Sequence, residues 1–213
     1  MRLLLTANTA WNILHFRRGL VQALREDGHQ VTVLAPQDGT EHELQEMGCR
    51  FRTLTMNSKG LNPLEDMRLV GRFRRFMAGM QPDAALSFTI KNNIYGALAA
   101  KRQGIPFIPN VTGLGTAFLS GGPLQTVAEQ LYTRAFRQLP VVFFQNRDDR
   151  SLFLDRGLVT PSQARLLPGS GIDLDHFRAA EPPPPRGSAP CFLMIGRLLR
   201  DKGVFEYVEA ARQ

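Results

Sequence analysis

Short apolar runs alternate with amphipathic stretches along most of the chain. Leu3-Leu4-Leu5-Thr6 predicts a buried strand, and apolar residues at 13, 16, 20 and 24 predict a helix that Gly28 ends. Further strands are predicted at residues 30–35, 51–55, 84–88, 106–111, 141–145 and 165–167. Helices are predicted between them, at residues 41–47, 64–80, 93–103, 125–138 and 147–156.

This strict alternation of strand and helix predicts an α/β fold with a parallel sheet. Strands that helices cover on both faces lose the in/out alternation of apolar and polar residues, and the short strands here are apolar throughout. Because crossovers between parallel strands are right-handed, we expect a Rossmann-like sheet flanked by helices.

The composition changes near residue 181. Pro182–Pro185 are four consecutive prolines, which cannot continue a sheet and predict an exposed linker. After them, residues 191–195 predict another buried strand and residues 202–211 the start of a helix. We therefore predict a domain at 1–178, a Pro-rich linker at 179–190 and the truncated start of a second α/β domain at 191–213.

The composition excludes several classes of protein and leaves the partner open. The chain has 213 residues, of which 43% are hydrophobic, and this is enough to bury a core. Cys49 and Cys191 lack metal-ligand neighbours and are expected to be free thiols. No run approaches the ~18 apolar residues of a membrane-spanning helix, and the N-terminus does not resemble a signal peptide, so we expect a cytosolic protein. The net charge of +7 leaves open a membrane surface, a nucleic acid or an anionic substrate.

Ligands of open parallel sheets bind at the carboxyl ends of the strands, so the loops there are the first candidates for a site. The loop after the first strand contains no glycine, which disfavours a dinucleotide site, and the sequence has no Walker loop. His15, expected near a helix N-terminus, is either a ligand or base for a substrate hydroxyl, or a capping or surface histidine.

Two later loops are also candidates, each with a plainer alternative. Thr89-Ile90-Lys91-Asn92-Asn93 suits hydroxyl-rich or phosphate ligands, or is a solvated turn and helix cap. Thr112-Gly113-Leu114-Gly115-Thr116 exposes backbone N–H groups to a ligand, or is a flexible loop.

The helix predicted at 64–80 adds a basic stripe formed by Arg68, Arg72 and Arg75. A basic amphipathic helix can lie on an anionic bilayer, and the alternative is a solvated basic face. The sequence shows no nucleic-acid motif and no aromatic platform between basic residues.

Three sets of motifs resemble a known family. Gly196-Arg197-Leu198 with Lys202-Gly203, placed after the Pro-rich linker, resembles the opening of the donor-binding domain in family 4 glycosyltransferases of the GT-B fold. Gly171-Ile172-Asp173, followed by Phe177, resembles the family's segment before the interdomain linker. The remaining motifs resemble bacterial enzymes that add N-acetylgalactosamine or related sugars to undecaprenyl-diphosphate-linked acceptors: His15-Phe16-Arg17, Leu61-Asn62-Pro63 and Gly113-Leu114-Gly115.

The resemblance implies an acceptor-binding N-terminal domain and a C-terminal domain that binds a nucleotide sugar, usually a UDP-sugar. It implies that Gly196, Arg197 and Lys202 hold the donor diphosphate, with Arg197 and Lys202 stabilising the departing nucleotide. It places Gly171 and Asp173 between the domains, and it implies retention of configuration with no metal and no cofactor besides the sugar nucleotide. It assigns the following residues to the acceptor side: Asn8, His15, Arg17, Lys91, Asn92, Thr112, Gly113 and Gly115.

The sequence departs from the family in two places. It lacks the glycine pair after the first strand and a later histidine-bearing loop, and the family's paired glutamates would lie beyond Gln213. We therefore expect the full-length protein to be a retaining glycosyltransferase that acts on a lipid-linked or surface-glycan acceptor, peripheral at the inner face of the cytoplasmic membrane. This chain is expected to be inactive alone, for want of a C-terminal domain. The alternatives are a GT-B sugar-nucleotide epimerase and a non-catalytic α/β domain that binds a membrane or partner.

Overall fold

The computed structural model describes residues 1–58, 60, 62–114, 122–175, 177–180, 191–196 and 198–212, without the side chains of Pro123 and Asp201. The chain divides into two compact units, Met1–Leu174 and Asp175–Gln213. Each unit is described by itself below.

Strands and helices alternate throughout the larger unit, as predicted. The strands are β1 (Arg2–Thr6), β2 (Gln30–Ala35), β3 (Arg50–Thr53), β4 (Ala84–Phe88), β5 (Phe107–Val111), β6 (Val142–Phe144) and β7 (Ala164–Leu166). The helices are α1 (Ala10–Phe16), α2 (Arg18–Glu26), α3 (Glu41–Glu46), α4 (Pro63–Met80), α5 (Ile90–Lys101), α6 (Gly122–Phe136) and α7 (Arg147–Asp155).

The seven strands form one sheet in the order β3-β2-β1-β4-β5-β6-β7. Every neighbouring pair is parallel, from Leu3 opposite Val31 on one side to Phe144 opposite Leu166 on the other. The predicted parallel α/β sheet flanked by helices is therefore confirmed.

Successive residues of β1 face two separate apolar layers. Leu3 and Leu5 pack with side chains of α1, α2 and α3, whereas Leu4 packs with α4, α5, α6 and α7. Since neighbouring residues of a strand point to opposite faces, both faces of the sheet are covered. This double burial explains why β1 carries three successive leucines rather than apolar residues at alternate positions only.

The first helical region is interrupted, although we predicted one continuous helix there. The hydroxyl of Thr9 accepts a hydrogen bond from the backbone N–H of Asn12, so α1 begins at Ala10. The helix ends at Arg17, which has non-helical backbone angles (φ −132°, ψ 13°), and α2 starts at the next residue. The side chain of Arg17 is buried at this break.

Helix α4 begins where the sequence provides a cap and a proline. The side chain of Asn62 accepts a hydrogen bond from the N–H of Leu64, and Pro63 occupies the first helical position, where its missing N–H costs nothing. Leu61, part of the same motif, lies outside the described residues.

Helix α5 starts three residues earlier than predicted, directly after β4. The backbone N–H of Asn93 donates to the carbonyl of Thr89, closing the first helical turn. Lys91 and Asn92, which we expected in a loop, therefore lie in the first turn of a helix.

The smaller unit contains a short 3₁₀ turn at Arg200–Lys202 and helix α8 (Val204–Ala210). The prediction of a strand at 191–195 is wrong, because those residues have no regular secondary structure. A strand of a parallel sheet needs a neighbour for its backbone hydrogen bonds, and the described part of this unit contains none. Residues 181–190, which include the Pro-rich stretch, lie outside the described residues.

Within the described part of the chain, no helix is long and apolar enough to cross a membrane.

Candidate functional site

The order of the strands creates a crevice beside β1. From β1 the chain runs through β2 to β3 on one side, and it then returns to β4 and continues to β7 on the other. The connections after β1 and after β4 leave the sheet in opposite directions, and ligands of such sheets bind between them at the carboxyl edge.

A pocket of about 260 Å³ lies at this edge. It contains residues that follow four different strands of the sheet (β1, β3, β4 and β5), because parallel strands bring their carboxyl ends to one edge. Four residues predicted for the acceptor side come together in it: Asn8, Lys91, Thr112 and Gly113. Its other lining residues are Ser58, Thr89 and Ile90.

The buried side chain of Asn92 forms hydrogen bonds beneath the pocket instead of lining it. Its side chain is fully buried, and its amide N–H donates to the hydroxyl of Thr6 at 2.7 Å. The hydroxyl of Thr89 donates to the Asn92 amide oxygen at 3.0 Å, while the Thr6 hydroxyl donates to the carbonyl of Leu34 at 2.7 Å. Asn92 therefore ties together the carboxyl ends of β1, β2 and β4 beneath the pocket.

Lys91 is paired with a carboxylate that sequence reasoning missed. Its ammonium lies 2.6 Å from one oxygen of Asp66, and both side chains are only 14% exposed. The hydroxyl of Tyr95 donates to the other oxygen of Asp66 at 2.8 Å. The pKa of the Tyr95 hydroxyl is raised, mainly because the group is buried. The hydrogen bond to Asp66 and the negative charge of Asp66 raise it further.

This pairing determines the chemistry of the pocket. Among the described lining residues, Lys91 is the only charged group, and Asp66 compensates its charge. The other described lining residues contribute hydroxyl, amide and backbone groups and the apolar side chain of Ile90. Such a surface suits a neutral ligand rich in hydroxyl groups better than a free anion.

Thr89 adds a strained backbone to the same site. It has φ +88°, in the region that favours glycine, although it carries a β-branched side chain. Such strain costs on the order of 1–3 kcal/mol and is concentrated at functional sites. Here it lets the chain turn from β4 directly into α5 and brings Thr89 and Lys91 to the pocket wall.

His15 is placed differently from our expectation. It lies in the last turn of α1 rather than near a helix N-terminus, because the Thr9 cap starts that helix upstream and Arg17 ends it. The ring is exposed, donates a hydrogen bond from Nδ1 to the carbonyl oxygen of Trp11 (3.1 Å), and stacks on the Trp11 ring at 4.3 Å between centroids. Trp11 is 45% exposed, so the two rings form an open aromatic surface that sequence reasoning did not identify.

Arg17 is buried and connects distant parts of the chain. Its guanidinium donates to the backbone carbonyl of Phe16 and to the hydroxyl of Ser170, and it lies 4.4 Å from the ring centroid of Phe88. Burial lowers the pKa of this guanidinium. Gln145 also donates to the Ser170 hydroxyl, so Arg17 and Gln145 together hold the segment that leads to Gly171.

The residues predicted for the interdomain and donor regions are only partly described. Gly171 has φ +74°, and Asp173 is exposed nearby. In the smaller unit, Gly196 lies in a bend and the exposed Lys202 ends the 3₁₀ turn. Arg197 and Gly115 lie outside the described residues. The roles assigned to these six residues stay predictions.

The described residues contain no cluster of three His, Cys, Asp or Glu side chains that could hold a metal ion.

A profile of the glycosyl transferase 4-like domain matches residues 15–169. The chain is also similar to the N,N'-diacetylbacillosaminyl-diphospho-undecaprenol alpha-1,3-N-acetylgalactosaminyltransferase of Campylobacter jejuni, with 26% identity over 226 residues. The match covers 99% of this chain but 60% of that protein, so the chain spans less than two thirds of this curated relative.

Solved structures share the fold. A glycosyltransferase from Rickettsia africae matches with a TM-score of 0.61 at 14% identity, over 83% of this chain and 45% of that one. A UDP-GlcNAc 2-epimerase from Neisseria meningitidis, solved bound to UDP-GlcNAc, matches with a TM-score of 0.56 at 15% identity, over 78% and 46%. These likenesses confirm the predicted fold, which transferases and epimerases have in common.

Proposed function

The chain belongs to the glycosyl transferase 4-like domain family, and on that premise we propose that it is the acceptor-binding part of a retaining glycosyltransferase. The full protein moves a sugar from a nucleotide-sugar donor, a UDP-sugar, to a lipid-linked acceptor at the inner face of the cytoplasmic membrane. Residues 1–178 bind the acceptor, 179–190 form a linker and 191–213 open the donor-binding domain.

The observation that carries this proposal is the family match, which spans most of the larger unit and includes the pocket residues Lys91 and Thr112. The similarity to a transferase rather than to an epimerase over 99% of the chain favours transfer as the reaction. The structural likeness to epimerases concerns the fold alone, and it leaves that alternative without a specific observation in its favour.

The pocket provides contacts for the hydroxyl groups of the acceptor sugar. The side chains of Asn8, Thr89 and Thr112 offer donors and acceptors, and Gly113 leaves open space on the side where a Cβ would project, with nothing within 4 Å of that position. The ammonium of Lys91 is already compensated by Asp66, so it contributes a directed hydrogen bond rather than a free charge. Positioning the attacking hydroxyl is the contribution of this edge to the reaction.

On the donor side, we assign Gly196, Arg197 and Lys202 to the diphosphate. Fixed cations stabilise the charge that develops on a departing nucleotide, so no metal and no separate cofactor are needed. What supports this assignment is the resemblance of the motif, together with the 3₁₀ turn that presents Lys202 to solvent.

Binding by the 213-residue chain tests the acceptor assignment. A short prenyl diphosphate that bears an N-acetylhexosamine is titrated into the chain by calorimetry, with UDP as the comparison ligand. Thr112→Val keeps the shape but removes a hydroxyl, and we expect roughly tenfold weaker binding, the equivalent of one hydrogen bond. Thr53→Val, the same change at an exposed position of β3, should leave binding unaltered. An acceptor affinity that neither substitution changes would contradict the pocket assignment.

Transfer itself is measured on a protein that joins this chain to a complete donor-binding domain. Arg197→Ala should lower transfer from a UDP-sugar at least a hundredfold, because a group that stabilises charge in the transition state is worth several kcal/mol. Arg200→Ala, in the same segment, is the matched control. Equal turnover by the Arg197→Ala variant and the unchanged protein would remove the donor-site assignment.

A further inference from the structure

A wide groove of about 1090 Å³ crosses the helices that cover one face of the sheet. Its walls come from α4, α5 and α6 and from the residues that follow α5, α6 and α7. Six basic side chains line it: Arg74, Lys101, Arg102, Arg134, Arg137 and Arg156. We call this feature the basic groove.

The basic groove holds an excess of positive charge that the protein does not neutralise. Its described lining residues include one carboxylate, that of Glu129, and together carry a formal charge of +5. Glu129 is paired with Arg156 and also accepts a hydrogen bond from Gln125. In the described part of the chain, none of the other five basic side chains forms an ion pair.

Apolar side chains accompany this charge. Met67, Val70, Leu98 and Leu158 line the groove, and Met67 is 71% exposed. Val127 is half exposed and lies one helical turn before Gln130, a lining residue of α6. No aromatic side chain occurs among the described lining residues, so the groove lacks the stacking platform of single-stranded nucleic-acid sites.

On the opposite flank of α4, the positive charge of the Arg68, Arg72 and Arg75 stripe is partly compensated. Arg68 is paired with Glu65, and Arg72 donates to the carbonyl of Thr55 at 2.7 Å. A second oxygen of Glu65 lies 3.8 Å from Arg72. Two of the three arginines in the predicted membrane-binding stripe thus have partners within the protein. In the basic groove, by contrast, Arg102, Arg134 and Arg137 are exposed and form no ion pair with a described carboxylate.

We propose that the basic groove is the surface that docks this unit on a bilayer containing anionic lipids. Basic residues that surround apolar ones fit a membrane interface, where phosphate headgroups meet the cations and the hydrocarbon boundary meets the apolar groups. The cations come from several elements and are spread over an open surface, which suits many lipid headgroups rather than one small anion. The biological meaning rests on the proposed function, because a lipid-linked acceptor is held in a bilayer.

Co-sedimentation of the 213-residue chain with vesicles tests the proposal. Vesicles of phosphatidylcholine with phosphatidylglycerol are compared with vesicles of phosphatidylcholine alone, and we expect binding to the former only, weakened by salt. The groove variant carries Lys101→Gln, Arg134→Gln and Arg137→Gln. We expect it to bind roughly 150-fold more weakly, which is the ~3 kcal/mol of three basic residues at about 1 kcal/mol each.

A control variant with Arg68→Gln, Arg72→Gln and Arg75→Gln removes the same number of charges from the other flank of α4. The proposal requires its loss of binding to be well below that of the groove variant. Equal losses, or no binding of the unchanged chain to anionic vesicles, overturn it. Binding to single-stranded RNA but not to vesicles would assign the groove to nucleic acid and also overturn it.

The assay is independent of the proposed function. Transfer to an acceptor dispersed in detergent does not need a bilayer, so the groove variant should retain it in the complete protein. A groove variant that binds vesicles poorly but transfers normally supports both conclusions, whereas vesicle binding without any transfer leaves the docking surface in place and removes the reaction. Circular dichroism and thermal unfolding establish that each variant is folded.

Discussion

Removing the side chain of Asn92 should destabilise the fold, although Asn92 is not among the described lining residues of the pocket. Asn92→Ala deletes the hydrogen bond to the hydroxyl of Thr6, which is fully buried, and the hydrogen bond from Thr89, which is half-buried at the pocket wall. Each bond contributes about 1 kcal/mol net, and the buried Thr6 hydroxyl left without its donor costs about another 1 kcal/mol. We therefore expect a loss of about 3 kcal/mol in the free energy of unfolding, a large share of the 5–15 kcal/mol of a typical domain.

Urea unfolding followed by circular dichroism measures this loss at an unchanged denaturant slope. The matched control is Asn8→Ala, the same substitution at the same edge of the sheet but in the pocket lining, where we expect a change within about 0.5 kcal/mol. A double-mutant cycle with Thr6→Val isolates the pair, and its coupling energy should be about 1 kcal/mol. If Asn92→Ala costs no more than Asn8→Ala, or if the coupling vanishes, the strand ends are not held together in this way.

Other expected outcomes concern packing, pH and local order. Gly96→Ala places a Cβ 2.7 Å from the ring of the buried Phe107 and should destabilise the protein by about 1 kcal/mol, even after the gain in helix propensity. Gly71→Ala, with open space around it, should stabilise the protein by about 0.5–1 kcal/mol. Thermal unfolding of both variants measures the difference. Burial raises the pKa of the Tyr95 hydroxyl, so on raising the pH the unfolded chain loses this proton before the folded protein does. The contribution of Tyr95 to the free energy of unfolding is therefore complete below pH ~10 and falls above that pH by up to about 1.4 kcal/mol per pH unit. The free energy of unfolding of Tyr95→Phe should fall less steeply with pH in this range. Arg17→Ala should speed amide hydrogen exchange in the segment after β7, and unchanged exchange there would count against its anchoring role.

The sheet was predictable because its determinants are local. Each strand is a short apolar run bounded by turn residues, and each helix has its own apolar stripe. The boundaries were less predictable where a distant residue decides them. Helix α1 ends at Arg17, whose side chain contacts Ser170, 153 positions away in the sequence. No periodicity within the helix reports such a contact.

The candidate site was predictable in its place but only partly in its members. The rule that ligands bind at the carboxyl ends of strands selected Asn8, Lys91 and Thr112, and these residues do line one pocket. Asp66 was missed because it belongs to the start of α4, 25 positions before its partner Lys91. The cap formed by Asn62 was a sequence signal for where that helix begins, but nothing in the sequence indicated which side chain the first turn would meet.

The failed strand at 191–195 shows the limit of hydrophobic pattern in another way. Its apolar side chains are exposed, including Phe192, Leu193 and Ile195, since a strand is stable only when another strand takes its backbone hydrogen bonds. The apolar pattern of residues 191–195 therefore indicates that these side chains can be buried, and it does not show that the segment forms a strand on its own.

The charge of the chain illustrates why tertiary structure is needed to assign a partner. Sequence periodicity placed the basic surface on the Arg68, Arg72 and Arg75 stripe, yet Glu65 lies on the same flank of α4 and compensates part of it. The unpaired cations collect instead in the basic groove, because α4, α5 and α6 end or pass beside one another there. The pocket at the strand ends is meanwhile close to neutral, since Asp66 compensates Lys91. Our two proposals, an acceptor pocket and a membrane-docking groove, therefore assign the net charge of +7 to binding the membrane rather than to binding the acceptor sugar.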